Sequence, residues 1–485
     1  MLSGIGNPKP TDEQQAIIEA AREGGHVAIQ AGAGTGKTST LQMVADALPT
    51  DALYVAYNRA IADDAAMRFP RHVTCRTAHS LAMREVGKDY RHRLNGPRRT
   101  NREIAQMMGL RWLEVTSDIR LSPAQVARIV MDTVRRFCFS ADEHLSDFHV
   151  PLQPKITGTA HRAMAKAVAP LATKYWNDVI DHNGTLPYTH DFYLKTWALT
   201  KPILPVDVIF LDEGQDANPV IAALVENQSH AQQIVVGDAC QQLYSWRGAS
   251  DVLSTWPGAR QLYLSQSWRF GEAIAEEANK WLSLLPTSLE LTGNPAITSR
   301  LAVLETPTAV LCRTNAGAMD MVMAFLDAGE KVAMVGGGTA LCQLAEAAKT
   351  LMAGQRTGHP ELYTFRSWED VRDYVGTDGS GDDLRAFVNL IETHGPDAII
   401  RATKALTDEF HATTVVSTVH RAKGRQWPTV CVGDDFFGPD DDGHLSSAET
   451  MVGYVAVTRA QEVLDRTGLA WIDDYVDRLT SDTTE

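Results

Sequence analysis

Two α/β domains, each built on a parallel sheet, are predicted from three observations. Short apolar runs rich in Val and Ile recur along the chain, each is followed by turn residues and a helical pattern, and the runs fall into two separate sets. Strands buried on both faces read as near-continuous apolar stretches, and the helices between them cover those faces. The first set comprises Val27–Ile29, Leu53–Ala56, Val208–Leu211 and Ile234–Val236. The second comprises Val310–Cys312, Val332–Val335, Thr414–Val416 and Val430–Val432.

Between the strands of the first set lies a long helical stretch, and between those of the second a shorter one broken by the Gly/Asp-rich run Gly376–Asp383. Neither sheet needs these residues, so both read as subdomains grafted onto connections. The predicted division is residues 1–82 with 185–262 as the first sheet domain and 83–184 as its helical, basic insert. Residues 263–339 with 405–485 form the second sheet domain, and 340–404 a smaller insert. A length of 485 residues fits this scale, since it suggests about three ordinary domains.

Composition is that of a globular protein, with 44% hydrophobic and 22% charged residues. No apolar run approaches the roughly 18 residues of a membrane span. The opening Met1–Gly6 lacks the regions of a signal peptide, so a cytoplasmic protein is expected. The cysteines Cys75, Cys138, Cys240, Cys312, Cys342 and Cys431 are scattered and suggest neither a disulfide framework nor a zinc site. The net charge of −15 argues against a nucleic-acid partner, but Leu81–Arg136 holds twelve Lys/Arg against six Asp/Glu. That excess fits either a solvated helical face or a nucleic-acid surface.

Chemistry concentrates after two of the strands. Ala31-Gly32-Ala33-Gly34-Thr35-Gly36-Lys37-Thr38 follows the first strand and opens a helix with Leu41, Val44, Ala45 and Leu48 on one face. This is the strand–loop–helix setting of a phosphate-binding loop, in which glycines let backbone N–H groups converge on phosphate oxygens. Lys37 suits the β- and γ-phosphates, the Thr38 hydroxyl suits Mg²⁺, and Ser39 is expected to join the nucleotide-binding run. Asp212 and Glu213 close a second apolar strand. Asp212 suits the Mg²⁺ shell and Glu213 suits general-base work on an attacking water. ATP and Mg²⁺ are the expected cofactors.

Further motifs carry a family likeness. Asp212-Glu213-Gly214-Gln215-Asp216-Ala217-Asn218 and the run Val236–Ala249 resemble motifs II and III of the UvrD/Rep-type superfamily 1 DNA helicases. Ser267-Trp268-Arg269 resembles motif IV, Thr418–Gly424 motif V, and Tyr454–Ala460 motif VI. Thr11–Gln14 sits at the place of the Q motif, and Thr77-Ala78-His79-Ser80 matches a T-x-H-S element. The set keeps the family's order over nearly the whole chain. Tyr54–Ala62 and Arg421–Trp427 resemble the F-box DNA helicase branch in particular, with no room for an F-box ahead of the Q motif.

The resemblance implies two RecA-like P-loop NTPase domains and a division of labour among residues. Gln14 would read adenine, Trp268 would stack on it, and Gln241 would sense the γ-phosphate. Arg269 and Arg459 would act on that phosphate as arginine fingers, with Gly424 and Gln426 nearby. Gln426 departs from the family, where many members carry Glu, and Trp268 replaces the commoner Tyr. Tyr244 and Trp246 would stack on bases, and Asn58, Arg59, Thr77, His79, Arg247, Thr418 and His420 would line the strand's path. His79 and His420 read equally well as structural histidines.

The implied activity is ATP-dependent movement 3′→5′ on single-stranded DNA and at junctions with duplex, by a monomer and without a membrane partner. Other readings are a small-molecule P-loop kinase, which leaves motifs III to VI unexplained, and a helicase–nuclease fusion, for which too few residues follow Arg459. A non-catalytic DNA-binding relative is opposed by the intact set Lys37, Thr38, Asp212, Glu213, Gln241, Arg269 and Arg459. Strand separation and protein-stripping translocation stay open alternatives.

Overall fold

All eight apolar runs form parallel strands. The first sheet consists of β1 (Val27–Ala31), β2 (Ala52–Ala56), β3 (Val73–Thr77), β6 (Val208–Leu211), β7 (Gln232–Gly237) and β8 (Arg260–Leu264), in the order β3-β2-β6-β7-β1-β8. A short antiparallel pair, β4 (Leu113–Glu114) and β5 (Arg120–Leu121), stands apart from it. The second sheet consists of β9 (Arg300–Leu301), β10 (Ala309–Cys312), β11 (Val332–Met334), β12 (Thr414–Thr418), β13 (Trp427–Val432) and β14 (Ala460–Asp465), in the order β11-β12-β10-β13-β14-β9. This computed structural model describes residues 9–97, 99–117, 119–153, 156–243, 252–359, 361–362, 365–376, 382–440 and 442–482. Residues 1–31 with 36–264 form one compact unit, and residues 32–35 with 265–485 form the other.

β3 and β8 were not visible as apolar runs, and their position explains why. Both lie at the edges of the first sheet, where β3 alternates buried and exposed residues and β8 is mostly exposed. The central strands β1, β2 and β6 are buried at every position and so carry the unbroken pattern.

The pleat sends alternate residues of each strand to opposite faces. Val27, Ile29, Tyr54, Phe210, Ile234 and Val236 pack with Leu41 and Val44 of the helix Lys37–Ala47. Ala28, Leu53, Val55, Ile209, Leu211 and Val235 face the other way. There they join one continuous apolar cluster with Ile104, Val130, Val168 and Trp176 of the first insert. The expectation that neither sheet needs its insert is therefore corrected. In the second unit Val310, Cys312, Met334 and Val416 likewise share a cluster with Leu344, Phe387 and Ile399 of the smaller insert. A parallel sheet must be covered on both faces, and each insert contributes to that cover.

The basic character of the first insert is also partly internal. Arg93 is only 8% exposed. Its guanidinium donates to the carbonyls of Asp178, Val179, Asp181 and Leu186 and to the Asp178 carboxylate, closing the C-terminal end of the helix Gly158–Ile180. Arg93 thus leaves the set of basic residues expected to face nucleic acid.

Candidate nucleotide and nucleic-acid site

Because the first sheet is wholly parallel, the segments that follow its strands gather along one edge, where sheets of this kind bind ligands. After β1 the loop turns at Gly34 and Gly36, whose φ angles of 75° and 83° are open to glycine and strained for other residues. Thr35 Oγ1 donates to Gly32 O at 2.9 Å within that turn. The helix Lys37–Ala47 starts directly behind it, anchored by buried Leu41, Val44 and Ala45. Lys37 and Thr38 stand in its first turn with Ser39, while Ala31, Ala33 and Thr35 are buried.

After β6, Asp212 is 4% exposed. Its Oδ1 accepts the Glu213 N–H at 2.8 Å, and its Oδ2 accepts the Tyr54 hydroxyl. Burial, then the neighbouring Glu213, pushes the Asp212 carboxyl up to about 6, against the pull of Tyr54 and Lys37. Glu213 adopts a left-handed backbone, φ 52°, rare for a residue with a side chain and typical of functional turns. Its carboxylate lies 3.6 Å from Lys37 Nζ.

From Glu213 a polar chain runs to the segment after β7. Gln215 Nε2 donates to Glu213 Oε2 at 2.5 Å, and Gln215 Oε1 accepts the Asp238 N–H at 2.9 Å. Gln241 Nε2 then donates to Asp238 Oδ2 at 2.6 Å. Gln215, Asp238 and Gln241 are all buried, so each bond is shielded from competing water. A Cβ at Gly237 would displace Gln215 Oε1 from this chain. Gln215 was legible only as a motif letter; nothing in its chemistry marked it as the link between Glu213 and Gln241.

The same edge carries candidate strand contacts. Asn58 Oδ1 accepts the Ile61 N–H at 2.9 Å and Thr77 Oγ1 accepts the Ser80 N–H at 3.1 Å, so both cap helices. Arg59 beside Asn58 is 92% exposed in its side chain. His79 is held by Asp191, Nε2 to Oδ1 at 3.1 Å. A cavity of about 470 Å³ joins the two sets: Thr77 and His79 line it together with Asp212, Glu213 and Asp216. Gln14 has both amide atoms engaged inside the fold, Oε1 accepting from Thr11 N–H and Nε2 donating to Thr40 Oγ1.

The second sheet separates what the first brings together. Arg269, Gln426 and Arg459 meet at the edge where β13 and β14 begin. Arg269 donates through Nε to Gln426 Oε1 and through Nη1 to Thr458 O, both at 2.8 Å. Arg459 is 1% exposed and donates to Val455 O and Thr458 Oγ1, each at 2.9 Å. Trp268 is exposed beside Arg269, and Gly424 turns the chain into β13 with φ 79°. Thr418 and His420 lie at the other edge, where β12 ends. Burial, with Arg313 close by, holds the His420 imidazole below its ordinary value. Tyr244, Trp246 and Arg247 lie outside the described residues.

Comparison with known proteins gives the family. The UvrD/REP helicase N-terminal domain matches residues 10–253, half of the chain, and the UvrD-like helicase C-terminal domain matches residues 413–464. The chain belongs to the UvrD/Rep helicase family. Apart from residues 32–35, the N-terminal family domain falls in the first unit. The C-terminal family domain covers Thr418, His420, Gln426 and Arg459.

Among relatives, F-box DNA helicase protein 1 of Schizosaccharomyces pombe is 29% identical over 510 residues, covering 94% of this chain and 57% of that protein. F-box DNA helicase 1 of Gallus gallus is 29% identical over 506 residues, covering 95% and 49%. DNA helicase IV of Escherichia coli is 26% identical over 314 residues, covering 54% and 46%. The chain spans about half the length of the curated relatives it matches. No helix among the described residues is long and apolar enough to cross a membrane.

Proposed function

We propose that this UvrD/Rep family member is an ATP-dependent DNA helicase that moves 3′→5′ on a single strand as a monomer. The observation that carries the reading is the polar chain Lys37–Glu213–Gln215–Asp238–Gln241, set at the same sheet edge and cavity as Thr77 and His79. A change at the phosphate end of that chain has a hydrogen-bonded route toward the segment after β7. The direction of movement and the choice of DNA rest on the family likeness and on relatives named as DNA helicases.

In this reading the loop before Lys37 and the start of its helix hold the phosphates, and Lys37 neutralises them. Thr38 and Asp212 offer hard oxygen donors of the kind Mg²⁺ takes, and Glu213 is placed to accept a proton from water. Mg²⁺ bound there would supply charge stabilisation for phosphoryl transfer. Gln426 orients Arg269, whose planar, permanently charged group suits a phosphate, as does that of Arg459.

The test is ATP hydrolysis with and without single-stranded DNA, for the native chain and for Glu213→Gln. DNA should stimulate native turnover, and Glu213→Gln should keep nucleotide binding while lowering turnover by about 10²–10⁴. Near-normal turnover in the variant would remove Glu213 as the base. Duplexes with 3′ or 5′ single-stranded tails test direction: unwinding or streptavidin displacement confined to 5′ tails would reverse it. Dependence on a second protein would overturn the monomer assignment.

A further inference from the structure

Tyr54 lies on β2, beside the strand that delivers Asp212, and is fully buried. Its ring packs on Phe69 with centroids 4.8 Å apart, in the apolar layer that also holds Leu41 and Val44 below the phosphate loop. The hydroxyl emerges from that layer at the carboxylate and donates to Asp212 Oδ2. The other oxygen accepts the Glu213 N–H, so the carboxylate plane is set from two sides by groups on separate strands and turns.

We propose that Tyr54 is a positioning residue for the divalent cation, holding the Asp212 carboxylate correctly turned before the metal arrives. This rests on the nucleotide reading above and adds to it a residue that the loop and carboxylate motifs do not contain. Partners behind a ligating carboxylate fix its orientation and so strengthen metal binding. Each carboxylate oxygen has two lone pairs, so accepting one hydroxyl leaves a direction open for a metal. A tyrosine suits the task because its rigid ring, pinned by Phe69, spans the gap from the neighbouring strand with little freedom to lose.

The experiment uses the full chain with Tyr54→Phe, which removes the hydroxyl and keeps the ring. Mn²⁺ binding in the presence of ADP is read by electron paramagnetic resonance, and nucleotide affinity in EDTA by a fluorescent ADP analogue. Mn²⁺ affinity should fall about 10- to 100-fold, the usual effect of removing a partner behind a metal ligand. Nucleotide affinity without metal should stay unchanged, and turnover should recover as Mg²⁺ is raised. Phe69→Leu, which loosens the ring and keeps the hydroxyl, should change Mn²⁺ affinity less. Unaltered Mn²⁺ affinity in Tyr54→Phe would overturn the proposal. Failure of that variant to fold would also overturn it, by assigning the hydroxyl to stability. A native chain that binds neither nucleotide nor Mn²⁺ would instead refute the proposed function.

Discussion

The two sheets have the same parallel build but use their edges differently. In the first, the candidate nucleotide groups and the candidate strand contacts share the edge where the strands end, and one cavity touches both. In the second, Arg269, Gln426 and Arg459 sit where β13 and β14 begin, and Thr418 and His420 sit where β12 ends. A sheet offers two routes for linking sites. Groups on one edge are linked through side chains and bound water, and groups on opposite edges only through the strands. The first unit is therefore expected to pass local changes between its sites, and the second to keep its two functions separable.

The largest effect that would sharpen this contrast is at Arg269. Arg269→Ala should lower turnover about 10³-fold, as expected for removal of an arginine acting on a transferred phosphate. Affinity for oligonucleotides should be unaltered, because Thr418 and His420 lie at the other edge. An equal loss of DNA binding, measured by fluorescence anisotropy, would break the proposed separation.

A smaller effect is expected in the first unit, and there it should be coupled. His79→Ala removes a candidate strand contact and leaves Asp191 facing the cavity without its imidazole partner. It should weaken DNA binding by about 1–3 kcal/mol, as loss of a hydrogen bond to a charged group does. It should also reduce stimulation of ATP hydrolysis at saturating DNA. Loss of affinity with full stimulation retained would show that the shared cavity does not couple the two sets.

The smallest effect on activity comes from a buried charge that does not line the cavity. Lys195, 1% exposed, donates to Ser140 O at 2.7 Å and Asp142 O at 2.6 Å, and burial pushes its ammonium down to about 8. The folded chain therefore binds this proton less tightly than the unfolded chain does. Stability should rise as pH increases from about 8 toward the ordinary lysine value of about 10.4, because the unfolded state then holds more protons. The rise should be about 1–3 kcal/mol and absent in Lys195→Met, as measured by urea denaturation across that range. Turnover near neutral pH should not change, which separates a structural charge from those at the sheet edges.

Much of the first site was legible because its chemistry is local in sequence. The phosphate loop, with Lys37 and Thr38, occupies eight consecutive residues, and Asp212 and Glu213 follow one apolar strand. Tyr54 gave no such signal: it lies 158 residues from Asp212 and reads as one apolar member of β2. Gln14 shows the opposite limit. Its place in the Q motif suggests adenine, and the fold adds bonds from its amide to Thr11 and Thr40 that the sequence could not show.

By itself the sequence determined the fold class, the central strands of the first sheet, the phosphate loop and the carboxylate pair. Burial on both faces, loop geometry and metal chemistry impose residue types at short spacing. The tertiary structure alone decided which edge of each sheet receives each group, that the inserts share the sheet cores, and that Arg93 closes a helix instead of facing solvent. These outcomes depend on strand order and on contacts between residues distant in the chain, and short-range pattern carries no record of either.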